Sequence, residues 1–155
     1  MRALGPPGAD RLTPAGDYRG RAMSGSRRQP SDRGFEHRYG LVITELGDGR
    51  ATGRVEVRDE LKQPAGLVHG GVYAAIAESL AAAGTDAAVE ARGDVATGFS
   101  TQTSFLRPIT AGTIHAAAQA RHRGRTTWVW EVQITDDAGR VCVLTRATVT
   151  VRPAG

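Results

Sequence analysis

Hydrophobic and polar positions along this chain change period twice, and the changes mark its elements. Arg38-Tyr39-Gly40-Leu41-Val42-Ile43-Thr44-Glu45-Leu46 predicts a strand, and Gly47-Asp48-Gly49 a turn after it. From Ala51 to Val57, Thr52, Arg54 and Glu56 fall on one side and Val55 and Val57 on the other, the period of a half-buried strand. Asp59 to Val68 reads as a loop. The next stretch, His69 to about Val89, predicts a helix, because Val72 to Ala83 contains neither Pro nor Gly and consists largely of strong helix formers. Four more strands follow, at about Val95 to Leu106, Gly112 to Arg121, Thr126 to Thr135 and Arg140 to Val151. Gly124 and the Asp136-Asp137-Ala138-Gly139 turn punctuate the last two junctions.

One helix of this length cannot cover both faces of a sheet of about six strands. The economical arrangement is α+β, an antiparallel sheet wrapped around one long central helix. Alanines at 74, 75, 77, 81, 82, 83, 87 and 88 suit a helix held close to that sheet. A bare strand edge would remain, and it predicts an oligomer.

The 155 residues, 40% of them hydrophobic, suit one domain, placed at residues 34–155. With aromatics at 5%, the core is expected to be Val, Leu, Ile and Ala. The net charge of +4 is unevenly spread: residues 1–33 hold seven arginines against three aspartates, and the remaining 13 basic and 13 acidic residues cancel. That Gly-, Pro-, Ser- and Arg-rich tail is expected to be disordered. A folded part without net charge or interleaved aromatics argues against nucleic-acid binding. No segment reads as a secretory signal or a membrane span, and Asp10, Asp17 and Asp32 argue against a transit helix. Cys142 stands alone, which rules out an internal disulfide and fits a reducing cytoplasm. The scattered histidines form no metal-ligand cluster with it, so no metal and no cofactor is expected.

The candidate chemistry sits around the predicted helix start. Gly70 and Gly71 leave the first helical N–H groups uncovered, at the positive end of the macrodipole, where a carbonyl oxygen or oxyanion is accepted. Glu78 lies two turns further, with Ala74, Ala75, Ala81 and Ala82 three and four residues away. A carboxylate in such surroundings is desolvated and a stronger base. His69 reads by itself as a capping or hydrogen-bonding side chain, and Gln63 as an ordinary loop residue. Arg121-His122-Arg123-Gly124-Arg125-Thr126 gathers three guanidiniums between two strands, either a phosphate site or an exposed hairpin turn.

In order, Gln63-Pro64-x-Gly66-Leu67-x-His69-Gly70-Gly71, Ala77-Glu78-Ser79, Phe105-Leu106-Arg107-Pro108, His122-x-Gly124 and Asp137-x-Gly139-Arg140 carry a resemblance. From about Phe35 to Val151 the chain resembles the hotdog-fold acyl-CoA thioesterases of the His-Gly-Gly, PaaI-like type. It is most similar to those acting on aromatic thioesters such as 4-hydroxybenzoyl-CoA and 1,4-dihydroxy-2-naphthoyl-CoA. The resemblance implies that Glu78 is the catalytic base or nucleophile and that Gly70 and Gly71 hold the thioester carbonyl. It further implies that His69 orients the site and that Gln63 holds the thioester or the attacking water. The coenzyme's phosphates would lie at Arg123, Gly124, Arg125 and Thr126. Sheets would join edge to edge into dimers, and dimers into tetramers, with the thioester held partly by the neighbouring subunit.

One position departs from that pattern: Ala82 stands where the aromatic-CoA enzymes carry a hydroxyl one turn beyond the acid. Ser79, Thr85, Thr101 and Thr103 are the candidate replacements. Tyr73, Phe99 and Phe105 are possible acyl-pocket residues and equally possible core residues. The competing expectations are a non-catalytic acyl-CoA-binding module and a thioesterase for medium-chain fatty acyl groups. The motifs of hotdog dehydratases are not found.

Overall fold

The computed structural model describes residues 34–47 and 49–154; the expected tail at residues 1–33 lies outside the described residues. The elements run α1 (Phe35–Tyr39), β1 (Val42–Gly47), β2 (Arg50–Glu56), a 3-10 turn (Asp59–Leu61), α2 (Gly70–Val89), a second 3-10 turn (Glu90–Arg92), β3 (Asp94–Phe105), β4 (Thr113–Arg123), β5 (Thr127–Thr135) and β6 (Val141–Pro153). The strands form one antiparallel sheet in the order β1-β2-β4-β5-β6-β3. Helix α2 packs against this sheet along its 20 residues, so the expected α+β arrangement is the one observed.

The first predicted strand is the element that needs correction. Arg38 and Tyr39 belong to helix α1, and β1 begins only at Val42. Phe35 and Tyr39 meet edge-to-face at 5.2 Å, the i,i+4 contact of a helical turn. Gly40, at φ 77°, then ends the helix, its N–H turning back to the carbonyls of Glu36 and His37. A five-residue helix has too few apolar positions to show a period of its own.

Tyr73, Ile76, Ala77, Leu80 and Ala81 point from α2 into the core, toward Ala51 and Val55 of β2 and the inward rows of β4, β5 and β6. Trp130 is the largest fully buried side chain, so the core is less purely aliphatic than composition suggests. Gly84 makes room for it, since a Cβ there would stand 2.5 Å from the indole Cη2. The indole Nε1 donates to Thr85 Oγ1 at 2.9 Å, and that hydroxyl donates to the Ala81 carbonyl at 2.8 Å. The buried polar atoms of this contact are therefore satisfied.

Strand β3 forms one edge of the sheet, paired with β6 from Asp94↔Pro153 to Phe105↔Val143 with a bulge at Phe99. Among the described residues no strand pairs with its outer edge. Phe99 and Phe105 are 73% and 59% exposed, which removes both from the list of possible core fillers; Tyr73 is a core residue.

Candidate functional site

The loop before α2 folds back on itself and fixes the helix start. Lys62 and Val68 form an isolated bridge, Gln63 N–H donates to the Leu67 carbonyl at 2.9 Å, and Gly66 accepts the turn at φ 81°. His69 N–H donates to the Leu61 carbonyl at 2.8 Å, and His69 itself is extended, at φ −66° and ψ 136°. Its ring caps the helix: the Gly71 N–H donates to Nδ1 at 2.9 Å. An accepting Nδ1 carries no proton, so the ring's N–H is on Nε2.

That cap changes one expectation. The Gly71 N–H is not available to a ligand, because His69 takes it. The Val72 N–H is also occupied, by the His69 carbonyl at 2.9 Å. Among the described residues no hydrogen bond takes the Gly70 N–H, so the expected pair of donors narrows to Gly70. Phe105 of β3 lies over this glycine, where an added Cβ would be 2.8 Å from the ring's Cζ. Gln63 is half-buried in the loop, and its side-chain amide makes no hydrogen bond among the described residues.

Glu78 lies eight residues further along α2, about 12 Å away at about 1.5 Å per residue. Its carboxylate is half-buried and rests against the backbone of β3 at Gly98. A Cβ on Gly98 would be 3.2 Å from both Cγ and Cδ of Glu78 and closer still to Oε1. Burial is the main cause that raises its pKa above the usual carboxylate value, and the charge of Glu36 is the second. Glu36 reaches this site through helix α1, which has no period of its own in the sequence. Ser79, next to Glu78, donates to Glu36 Oε1 at 3.2 Å and lies 2.9 Å from the Tyr39 hydroxyl.

The hydroxyls expected to stand in for Ala82 have different fates. Ser79 is engaged with Glu36 and Tyr39, and Thr85 with Ala81 and Trp130. Thr103 pairs with Thr145 at 3.0 Å. Thr101 makes no side-chain hydrogen bond among the described residues. Opposite Ala147 in the ladder, it shares the helix-facing side of β3 with Gly98 and Thr103, opposite Val149 and Thr145.

A cavity of about 320 Å³ opens between α1, the first 3-10 turn and the first two turns of α2, lined chiefly by Phe35, Tyr39, Leu61, His69, Val72 and Ala75. It adjoins the Gly70 end of the helix. At the β4–β5 hairpin, Arg121 is paired with Glu131 at 2.7 Å and the Arg123 guanidinium lies 5.5 Å from the Trp128 ring centroid. Gly124 turns the chain, its N–H donating to the Thr127 carbonyl at 2.9 Å, with no room for a side chain: a Cβ would be 2.8 Å from that carbonyl oxygen. Arg125 and Thr126 are exposed at the tip. The ladder rows Arg123↔Trp128, Trp128↔Val149 and Val149↔Gly98 set this hairpin at the same level of the sheet as Glu78. Three strand spacings, about 14 Å, separate Arg123 from Gly98.

Among the described residues no group of three His, Cys, Asp or Glu could hold a metal ion, and no helix is long and apolar enough to cross a membrane.

Residues 65–143 match the family model of the Thioesterase superfamily. A Mycobacterium tuberculosis protein named as an esterase is 40% identical over 109 residues, 69% of this chain and 78% of the relative. Its solved structure superposes with a TM-score of 0.75 at 37% identity, covering 78% of this chain and 98% of that one. The 1,4-dihydroxy-2-naphthoyl-CoA hydrolase of Listeria monocytogenes is 32% identical over 119 residues, 77% of this chain and 96% of the relative. A Staphylococcus aureus thioesterase superposes with a TM-score of 0.74 at 26% identity, covering 77% of this chain and 98% of that one. Its solved variants replace one glutamate or one glutamine by alanine, fifteen positions apart, the separation of Gln63 and Glu78 here.

Proposed function

This chain belongs to the thioesterase superfamily and hydrolyses acyl-CoA thioesters, and we propose that its working site forms between two copies. The observation that carries this reading is the half-buried Glu78 resting on the bare backbone of an edge strand, about 12 Å of helix rise beyond Gly70, whose N–H takes no hydrogen bond among the described residues. Within one copy the Glu78 carboxylate is turned onto β3 at Gly98 while Gly70 lies under Phe105, so donor and base face different ends of that strand. Strand β3 offers the remedy. Its Gly98 lies by Glu78 and its Phe105 lies by Gly70. If two β3 edges pair antiparallel about a twofold axis, the Gly98 end of one faces the Phe105 end of the other. Each Glu78 then meets the Gly70 of the partner subunit.

In that site the thioester oxygen accepts the Gly70 N–H at the positive helix end, which polarises the carbonyl and stabilises the tetrahedral oxyanion. Glu78 from the other copy supplies the electron pair. It either attacks the carbonyl carbon, expelling the coenzyme thiolate and leaving an anhydride for water to cleave, or takes a proton from the water that attacks. Gln63, in the loop before the same helix start, is assigned to holding the thioester or that water. His69 keeps the helix start in place through its cap. The coenzyme's phosphates are assigned to the hairpin at Arg123, Gly124, Arg125 and Thr126, where Arg125 is exposed at the tip.

Aromatic acyl groups are the first choice and medium-chain fatty acyl groups the second. An apolar cavity of about 150 Å³ holds a benzene molecule, so the 320 Å³ space beside Gly70 has room for one or two rings. The Listeria relative is named for an acyl group of two fused rings. Cys142, the single thiol, is buried and unpaired, and we place the enzyme in a reducing cytoplasm. The test is thiol release from benzoyl-CoA by the full chain and by Glu78→Gln. We expect a loss of at least about a hundredfold in kcat; activity within a few fold of the parent rejects the assignment of Glu78.

A further inference from the structure

We propose that Phe35 is the residue that selects aromatic acyl groups: its ring is the aromatic wall of the cavity beside Gly70 and stacks on a flat acyl group held there. The inference rests on the reading that this cavity receives the acyl group. An exposed phenylalanine by itself says little; its place decides. Phe35 is 67% exposed, at the start of helix α1, and lines the cavity of about 320 Å³ together with Leu61, Val72 and Ala75. His69 and Gly71 line it as well, so the space opens on the end of α2 to which the thioester oxygen is assigned. In an aryl thioester the ring is bonded directly to the carbonyl carbon. A carbonyl held at Gly70 therefore delivers its ring into the adjoining space.

Helix α1 is short, yet it is anchored well enough to serve as a wall. Tyr39 is only 3% exposed, and its hydroxyl lies 2.9 Å from Ser79 Oγ on α2. The Arg58 guanidinium donates to the Arg38 carbonyl at 2.9 Å, and Gly40 ends the helix at φ 77°. Tyr39 in turn steadies Phe35, edge-to-face at 5.2 Å, and leaves most of that side chain open. Leu61, Val72 and Ala75 are aliphatic and favour any apolar group of suitable volume alike. Among the described residues lining the space, only Phe35 presents an open phenyl ring, and a ring quadrupole attracts the edge or offset face of another arene. A benzoyl group is also flat through its carbonyl carbon, whereas a saturated chain can bend away from the wall. Phe35 and Tyr39 precede residues 65–143, the stretch that matches the family model, so membership of the family does not supply this wall.

The experiment uses the full chain and two thioesters of similar outline, benzoyl-CoA and cyclohexanecarbonyl-CoA, of which only the first carries an aromatic ring. Both are assayed for kcat and KM in the parent, Phe35→Leu, Phe35→Tyr and Ala75→Leu, with a urea melt of each chain. Phe35→Leu keeps apolar bulk and Phe35→Tyr keeps the ring; at so exposed a position neither should move the melt. Comparing the ratio of kcat/KM between chains cancels the intrinsic difference in reactivity of the two thioesters. We expect Phe35→Leu to lower the benzoyl-to-cyclohexanecarbonyl ratio about three- to tenfold, the span of one aromatic contact. The change should lie in KM with kcat little altered, because the contact is made equally before and in the transition state. Phe35→Tyr should keep the parent's ratio, and Ala75→Leu, which fills the cavity, should raise KM for both thioesters. An unchanged ratio in Phe35→Leu, with KM still raised in Ala75→Leu, overturns the inference and leaves the cavity as the acyl site. An unchanged KM in Ala75→Leu removes the acyl group from the cavity and overturns that reading and the inference together. Phe35→Tyr behaving like Phe35→Leu, or a loss carried by kcat alone, also overturns the inference.

Discussion

Replacing Gly98 by Ala separates the chemistry of this site from its stability. The backbone there is ordinary extended strand, so alanine meets no conformational penalty. Relieving the unfolded chain of glycine's freedom should leave the fold unchanged or stabilise it by up to about 1 kcal/mol. The added methyl carbon, however, would sit 3.2 Å from Glu78 Cγ and Cδ and overlap Oε1. Carbon and carboxylate oxygen need about 3.5 Å, so the reacting atom must retreat by about 1 Å. A misplacement of that size costs on the order of a hundredfold in rate, which is about 2.7 kcal/mol of transition-state stabilisation. The assay is kcat for benzoyl-CoA together with a urea melt of the same preparation. We expect Gly98→Ala to melt at the parent's midpoint or above it while losing about two orders of magnitude in kcat. Full activity in a well-folded variant would refute the claim that Glu78 acts from its position against β3.

Two other perturbations test neighbouring parts of the account. Gly84→Val drives side-chain carbon into the buried Trp130 indole, which Thr85 pins through Nε1, and should lower stability by about 2 to 3 kcal/mol, read as a fall in urea midpoint at constant slope; an unmoved midpoint would contradict the close packing of α2 on β5. Glu78 is an acid whose pKa is raised on folding, so as pH rises the unfolded chain loses that proton first and the folded state loses stability from about pH 4 upward through the folded pKa. Glu78→Gln should therefore melt higher than the parent at neutral pH, with the gap closing as pH falls toward 4. A gap that persists at low pH would place the effect elsewhere.

Much of this was legible in the residues. The alternation from Ala51 to Val57 marks β2 because that strand buries one face regularly, and the run from Val72 to Ala83 marks α2 because nothing in it breaks a helix. The sheet order could not be read, since no local pattern says that β3, third among the strands in sequence but sixth in the sheet, closes the far edge beside β6. The helix start was visible in His69-Gly70-Gly71, yet which N–H stays free depends on where one imidazole nitrogen points. Glu36 was invisible for a different reason. Its place beside Ser79 comes from a short helix ended by Gly40 and from a contact across more than forty residues of sequence. The signal that could have found α1 is the pair Phe35 and Tyr39 four apart, just ahead of a glycine.

The most direct test of a site shared between two copies is a mixed dimer. Gly70→Pro removes the donor N–H with a residue suited to the first helical position, after a His69 already extended as proline requires, and the exposed Phe105 ring, 2.8 Å from an added Cβ, must swing aside for it. Glu78→Gln removes the acid. Each variant alone should be nearly inactive on benzoyl-CoA. A purified dimer of one Gly70→Pro chain and one Glu78→Gln chain keeps an intact Gly70 facing an intact Glu78 on one side only, so it should recover about half the parent's kcat per dimer. If that dimer is as inactive as either variant alone, donor and acid belong to the same chain and the shared site is wrong.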